Sequence, residues 1–105
     1  MEVNYHLYFY VPASHLEQVK TALFEAGAGK LGQYSHCAWQ TTGQGQFMPT
    51  EQANPFSGNK LEVNSEVEIK VEMICREQDK AQVKASLLKA HPYEVPAYGF
   101  IKLED

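Results

Sequence analysis

The chain has 105 residues, 44% hydrophobic and 21% charged, with a net charge of -4 and a pI of about 5.5. That length suits one domain, 1–105, able to bury its own core. The acidic balance excludes a sequence-independent nucleic-acid binder, which needs a basic footprint.

The two cysteines, Cys37 and Cys75, form no C-x-x-C pair. Both are read as buried, reduced thiols. No basic segment followed by an apolar run opens the sequence, so no signal peptide is expected. No apolar stretch is long enough to span a bilayer, so no membrane contact is expected and the expected compartment is the cytoplasm.

Val3, Tyr5, Leu7, Phe9 and Val11 alternate with Asn4, His6, Tyr8 and Tyr10. Period two in β-forming residues predicts a strand over about 3–11. Tyr8, Tyr10 and His6 make its second face too aromatic for solvent, so cover is expected either from within the chain or from another subunit. Pro12 ends the strand. Ser14 and Glu17 have capping-box spacing, and Leu16, Val19, Leu23 and Ala26 follow with helical period, which predicts a helix over about 15–26 with Gly27 as its left-handed stop. Gly27, Gly29 and Gly32 match G-x-G-x-x-G, but they follow a helix. A dinucleotide fingerprint precedes one, so that the positive helix end meets the pyrophosphate. Nucleotide binding there is set aside.

Tyr34–Thr41 reads as a second strand, with Cys37 and Trp39 sharing a core face and His36 on the other. From Gly43 to Glu62 the sequence is irregular, with Phe47, Met48 and Phe56 as isolated apolar anchors. A loop of that length in a small domain is usually functional, covered by a partner or mobile, and Phe47 and Phe56 suggest that this one is pinned down. Gly43 and Gly45 can bring backbone close to a ligand, although a strand-end turn is the plainer use of both. Val63–Cys75 predicts a long third strand. Val67, Ile69, Val71, Met73 and Cys75 face the core, while Glu66, Glu68, Lys70 and Glu72 form either a solvated face or the acidic wall of a cleft. A second helix over about 80–91 takes Asp79 as its cap, buries Val83, Leu87 and Ala90, and turns Lys80, Lys84 and Lys89 outward.

His91-Pro92-Tyr93-Glu94-Val95-Pro96-Ala97-Tyr98 then stops the helix. Each proline lacks an N–H and drives its predecessor toward extended geometry. The segment is a stiff connection carrying a histidine, two tyrosines and a carboxylate, read most plainly as a helix stop with packed aromatics. Tyr98, Phe100, Ile101 and Leu103 predict the last strand. The order strand, helix, strand, strand, helix, strand predicts an α+β, ferredoxin-like βαββαβ sandwich with two helices on one face of an antiparallel sheet. The helix-free face points to a symmetric homo-oligomer.

Five residue sets, in this order, carry a resemblance. They are Gly32-x-Tyr34-x-x-Cys37, Gly43-x-Gly45-x-Phe47-x-Pro49, Ala53-Asn54-Pro55-Phe56-x-Gly58, Glu72-x-x-Cys75 and His91-Pro92-Tyr93-Glu94-x-Pro96-Ala97-Tyr98. From about Gly29 onward the chain resembles the YqfO-type insert domain of the Nif-three-like (NGG-one-interacting factor) family. The His-Pro-Tyr-Glu-x-Pro segment is also similar to the CutA family, which shares its ferredoxin-like trimer with PII signalling proteins. The resemblance implies that fold and a trimer. In full-length Nif-three-like proteins the paired metal ions lie in the two halves flanking this insert. Those halves have no counterpart here, so the family's metal-dependent hydrolase activity is not expected of this chain.

Three functions follow. The first is a non-enzymatic regulatory or ligand-binding trimer of PII/CutA type, serving a small metabolite or a protein partner. Its site would lie between subunits and draw on Gly43, Gly45, Phe47, His91, Tyr93, Glu94 and Tyr98. The second is a copper- or zinc-binding protein with an inter-subunit site, taking His36, Cys37, His91 and Glu94 as ligands with Cys75 standing in for Cys37, since imidazole with thiolate suits those metals. A divalent metal is thus the one cofactor to test. The third is a small enzyme using His91, Tyr93 and Glu94 as acid and base, for which no nucleophile-base-orienter set is recognisable.

Overall fold

Alternation along the first strand decides which side of the sheet is the inside. In the computed structural model, which describes residues 2–104, β1 spans Asn4–Val11 and buries Tyr5, Leu7, Phe9 and Val11. The other elements are α1 (Leu16–Glu25), β2 (Trp39–Phe47), β3 (Asn64–Arg76), α2 (Lys80–Ala90) and β4 (Tyr98–Lys102). A short 3-10 turn leads into each helix, at Ala13–His15 and Glu77–Asp79. The sheet order is β2-β3-β1-β4, with every neighbouring pair antiparallel. This is the expected α+β architecture. Val19 and Leu23 of α1 and Val83 and Leu87 of α2 pack on Leu7, Phe9, Val71 and Met73, and truncating one such core side chain costs ~2–5 kcal/mol.

Several local expectations are corrected. The capping box does not form: the Ser14 hydroxyl bonds Nδ1 of His15, and α1 starts from the 3-10 turn with no side-chain cap. Asp79 likewise makes no cap bond to α2. Its carboxylate takes Arg76 Nε at 2.8 Å and Gln82 Nε2 at 3.3 Å, and Gln82 also donates to the Ala26 carbonyl at 2.6 Å. The result is a clasp between the C-terminal end of α1 and the N-terminal end of α2. Gly27 lies inside it at φ +115°, left-handed as expected, where a Cβ would meet the Asp79 carboxyl carbon at 2.7 Å. Lys80 does not simply face out; its ammonium lies 4.2 Å from the centre of the Tyr5 ring.

The largest correction concerns β2. It begins at Trp39, not Tyr34, and continues through Gly43 and Gly45 to Phe47, where a loop was expected. β3, thirteen residues long, supplies the partner that a glycine-rich strand needs, its first nine residues pairing in a register running from Trp39 opposite Glu72 to Phe47 opposite Asn64. Cys37 is only partly covered and Trp39 is 69% exposed, so neither belongs to the core. The reason is geometric: β2 and the outer half of β3 extend past the helices, giving a molecule 48 × 23 × 23 Å. Val67 sits on that overhang and is exposed too.

Candidate cleft on the helix-free face

The register places two rows side by side on the helix-free face. Trp39, Thr41, Gly43, Gly45 and Phe47 of β2 lie opposite Glu72, Lys70, Glu68, Glu66 and Asn64 of β3. Next to β3, Tyr8 of β1 lies opposite Glu72 and Tyr10 opposite Lys70. Over these rows lies a cleft of about 810 Å³, walled by β2, by Met48–Ser57 of the following loop, and by Tyr93, Glu94, Val95 and Ala97. Half-burial of Glu66, Glu68, Lys70 and Glu72 contradicts the solvated-face reading and fits the cleft wall.

Each carboxylate in the row has a partner. Glu66 takes the Ser57 hydroxyl at 2.6 Å, which ties the loop down. Glu68 accepts the Tyr93 hydroxyl at 2.8 Å. Its carboxylate lies across β2 at Gly45, where any Cβ would overlap it. Glu72 pairs with His6 at 3.0 Å. Lys70 is 4.0 Å from the same Glu72 oxygen, with its ammonium 5.6 Å and 6.0 Å from the Tyr8 and Tyr10 ring centres. It is the cleft-lining cation among the described residues, set among apolar, neutral polar and acidic side chains.

The proline-bounded segment after α2 forms the opposite wall. Tyr93 packs against Phe56 and His91, with ring centres 6.0 Å and 4.7 Å away, and Phe56 in turn meets His15 edge-on at 5.4 Å. Glu94 accepts the Asn54 amide at 3.1 Å. Burial first, and then the bond to Glu68, push the Tyr93 phenol far above its usual range, so it stays protonated and donates. His91 is buried behind Tyr93. The Tyr93 amide donates to its Nδ1 at 3.1 Å, and its Nε2 lies 2.7 Å from the Tyr10 carbonyl. Burial lowers its pKa, partly offset by the carbonyl contact.

Of the residues selected from sequence, Gly43, Gly45, Phe47, Tyr93 and Glu94 line the cleft, and His91 backs it. Gly43 leaves open space above the strand. Tyr98 is a correction: it lies opposite Phe9 in β4, on the helix side, and packs against the core. The metal candidates are not gathered within one subunit. No group of three or more His, Cys, Asp or Glu is placed to hold a metal ion among the described residues. His36 adopts φ +58° and packs on Phe24, while Cys37 is tied back to Gly29 and Ser35. Sequence reasoning weighed the β3 row as a cleft wall but did not select Lys70, Thr41 or Tyr10. Only the register across three strands brings them together.

The fold and its bare sheet face define an α+β domain of the CutA kind. The periplasmic divalent cation tolerance protein CutA from Archaeoglobus fulgidus aligns with 97% of this chain and 85% of its own, with a TM-score of 0.69 and 16% identity. CutA1 from Pyrococcus horikoshii gives 0.68 at 21% identity, with 96% of this chain and 84% of its own covered. No family model matches the sequence. Whole sequences place it more finely. The GTP cyclohydrolase 1 type 2 homolog of Halalkalibacterium halodurans is 43% identical over 102 residues, 97% of this chain and 27% of that protein. Its Mycobacterium leprae counterpart is 44% identical over 94 residues, 90% of this chain and 24% of that protein. A Bacillus cereus protein related to NIF3 superposes with a TM-score of 0.83 at 33% identity, covering 99% of this chain and 26% of its own. The chain is a domain of the YqfO type, homologous to one segment of the Nif-three-like (NIF3) proteins. It spans about a quarter of the length of the curated relatives it matches.

Proposed function

We propose that this chain is a non-enzymatic regulatory module of the CutA and PII kind, acting in the cytoplasm as a homotrimer that binds a small metabolite. The observation that supports it is the cleft of about 810 Å³, floored by open backbone at Gly43 and walled by Phe47, Phe56 and Tyr93 beside Lys70. A concave, largely apolar site with a few convergent polar groups is the usual form of a small-molecule site. Tyr93 and His91, the two residues best suited to proton transfer, are committed to structural bonds, which favours binding over chemistry. Self-association is supported by the exposed Trp39 and Ile101 on the helix-free face. The number three rests on the fold shared with CutA. Neither the cation tolerance named for CutA nor the cyclohydrolase named for the longer relatives is carried over. Among the described residues no group of three or more His, Cys, Asp or Glu is placed to hold a metal ion, and this chain matches only one segment of those relatives.

Native mass spectrometry on protein purified without chelator tests both parts. A trimer is expected, together with a retained mass after incubation with a pooled metabolite extract. Gly43→Phe, which fills the floor, is expected to abolish that mass. A monomer overturns the assembly, and a mass indifferent to Gly43→Phe overturns the cleft.

A further inference from the structure

Taking the cleft as the binding site, we propose that His91 is a proton-operated latch: its neutral ring holds the Tyr93–Ala97 wall against the cleft, and protonation releases that wall. The tautomer follows from the partners. A backbone amide can only donate, so Nδ1, which receives the Tyr93 N–H, must carry its lone pair. The ring proton is therefore on Nε2 and donates to the Tyr10 carbonyl. One neutral imidazole thus joins the β1 backbone to the Tyr93 backbone with both nitrogens used. A second proton, on Nδ1, would set two N–H groups head to head, and the Tyr93 contact must open.

What opens with it is the cleft wall. Tyr93 carries the hydroxyl held by Glu68 and the ring packed on Phe56, and the adjacent Glu94 holds the Asn54 amide of the opposite loop. The loop keeps its own tie through Ser57 and Glu66. The charged groups facing His91 pull in both directions. Glu68 of β3 favours the proton, while His15, from the turn before α1, opposes it. Tyr93 stays neutral, and β1 presents only the Tyr10 carbonyl. Burial is the largest influence and opposes the proton, leaving the closed state below the ordinary 6.5. Once the wall opens, the ring meets water and returns to that value. The histidine's contribution to closure is therefore complete above about pH 6.5 and is lost as pH falls from there to the closed-state pKa. The open fraction rises about tenfold for each pKa unit between the two states. By reciprocity, an occupant touching both walls would lower the pKa of His91 further.

The test is amide hydrogen exchange by NMR between pH 7.5 and 5.0, corrected for the intrinsic rate, with no ligand added. Protection at Tyr93 and Asn54 is expected to fall several-fold with acid, while the Gly29 amide, bonded to Ile74 on the far side, holds steady. His91→Gln keeps a donor for the Tyr10 carbonyl and cannot titrate, so its profile is expected to be flat. Protection at Tyr93 that stays constant through the His91 titration overturns the latch, as does an undiminished pH dependence in His91→Gln. Should that variant not fold, the ring nitrogen shifts of wild-type His91 decide: an Nε2–H tautomer titrating below 6.5 is expected, and an Nδ1–H tautomer overturns it. Because no ligand takes part, a cleft that binds nothing leaves these outcomes unchanged.

Discussion

Gly45→Ala sets two opposing effects against each other, and the structure says which one wins. Removing a glycine from a strand normally stabilises by about 0.5–1 kcal/mol, through reduced freedom of the unfolded chain. At position 45, however, the new Cβ falls on the Glu68 carboxylate, which must swing away and release the Tyr93 hydroxyl. A hydrogen bond to a charged acceptor is worth about 1.5–3 kcal/mol, and half-exposure of both partners puts this one near or below the lower end, at about 1–2 kcal/mol. The net effect is a loss of about 0–1.5 kcal/mol, too small to be diagnostic alone. Coupling to Tyr93 is the sharper quantity. Urea unfolding of wild type, Gly45→Ala, Tyr93→Phe and the double variant, at one protein concentration, forms a double-mutant cycle. With the hydroxyl already gone, Gly45→Ala should cost little or even stabilise, giving an interaction energy of about 1–2 kcal/mol. Additivity within about 0.3 kcal/mol would refute the account of Glu68 as the strut between β2 and the opposite wall.

Gly27→Ala should destabilise by about 2 kcal/mol or more, since it combines a left-handed backbone with a collision on Asp79 and loosens the clasp between the helices; denaturant titration reads it. Trp39→Arg should leave the unfolding free energy of the isolated chain within about 0.5 kcal/mol, because the ring is exposed, yet dissociate the assembly in sedimentation velocity. A stable trimer in that variant would remove the helix-free face as the interface. The two thiols should separate on alkylation at pH 8. Burial pushes Cys75 up to about 11, so it stays protonated and unreactive, while Cys37 takes the label; intact mass should show a single adduct on the folded chain and two after denaturation.

Much of the frame was legible because burial leaves a periodic trace. Tyr5, Leu7, Phe9 and Val11 alternate with polar or amphipathic neighbours, as do Ile69, Val71, Met73 and Cys75, and those two runs are the central strands β1 and β3. Helix periodicity located α1 and α2 and the buried residues Val19, Leu23, Val83 and Leu87. Pro92 and Pro96 marked the rigid segment that became a cleft wall, and the glycine pair before Phe47 marked the other.

What the sequence could not encode locally is β2. A strand of Gln, Thr and Gly on an overhang buries almost nothing, so it carries no apolar period; it exists because β3 is long enough to pair with it. Trp39 misled for the same reason, an aromatic whose exposure depends on how far the sheet extends past the helices. The capping expectations at Ser14 and Asp79 failed because a neighbouring imidazole and guanidinium compete for the same oxygens. The contacts that make the cleft join residues far apart in the chain: Glu68 with Tyr93, His91 with the Tyr10 carbonyl, and Glu94 with the Asn54 amide. Sequence alone determined the core between the two helices and the central strands β1 and β3, since hydrophobic burial there is written residue by residue. Tertiary structure decided its site, because a hydrogen bond depends on register and distance that no single segment holds.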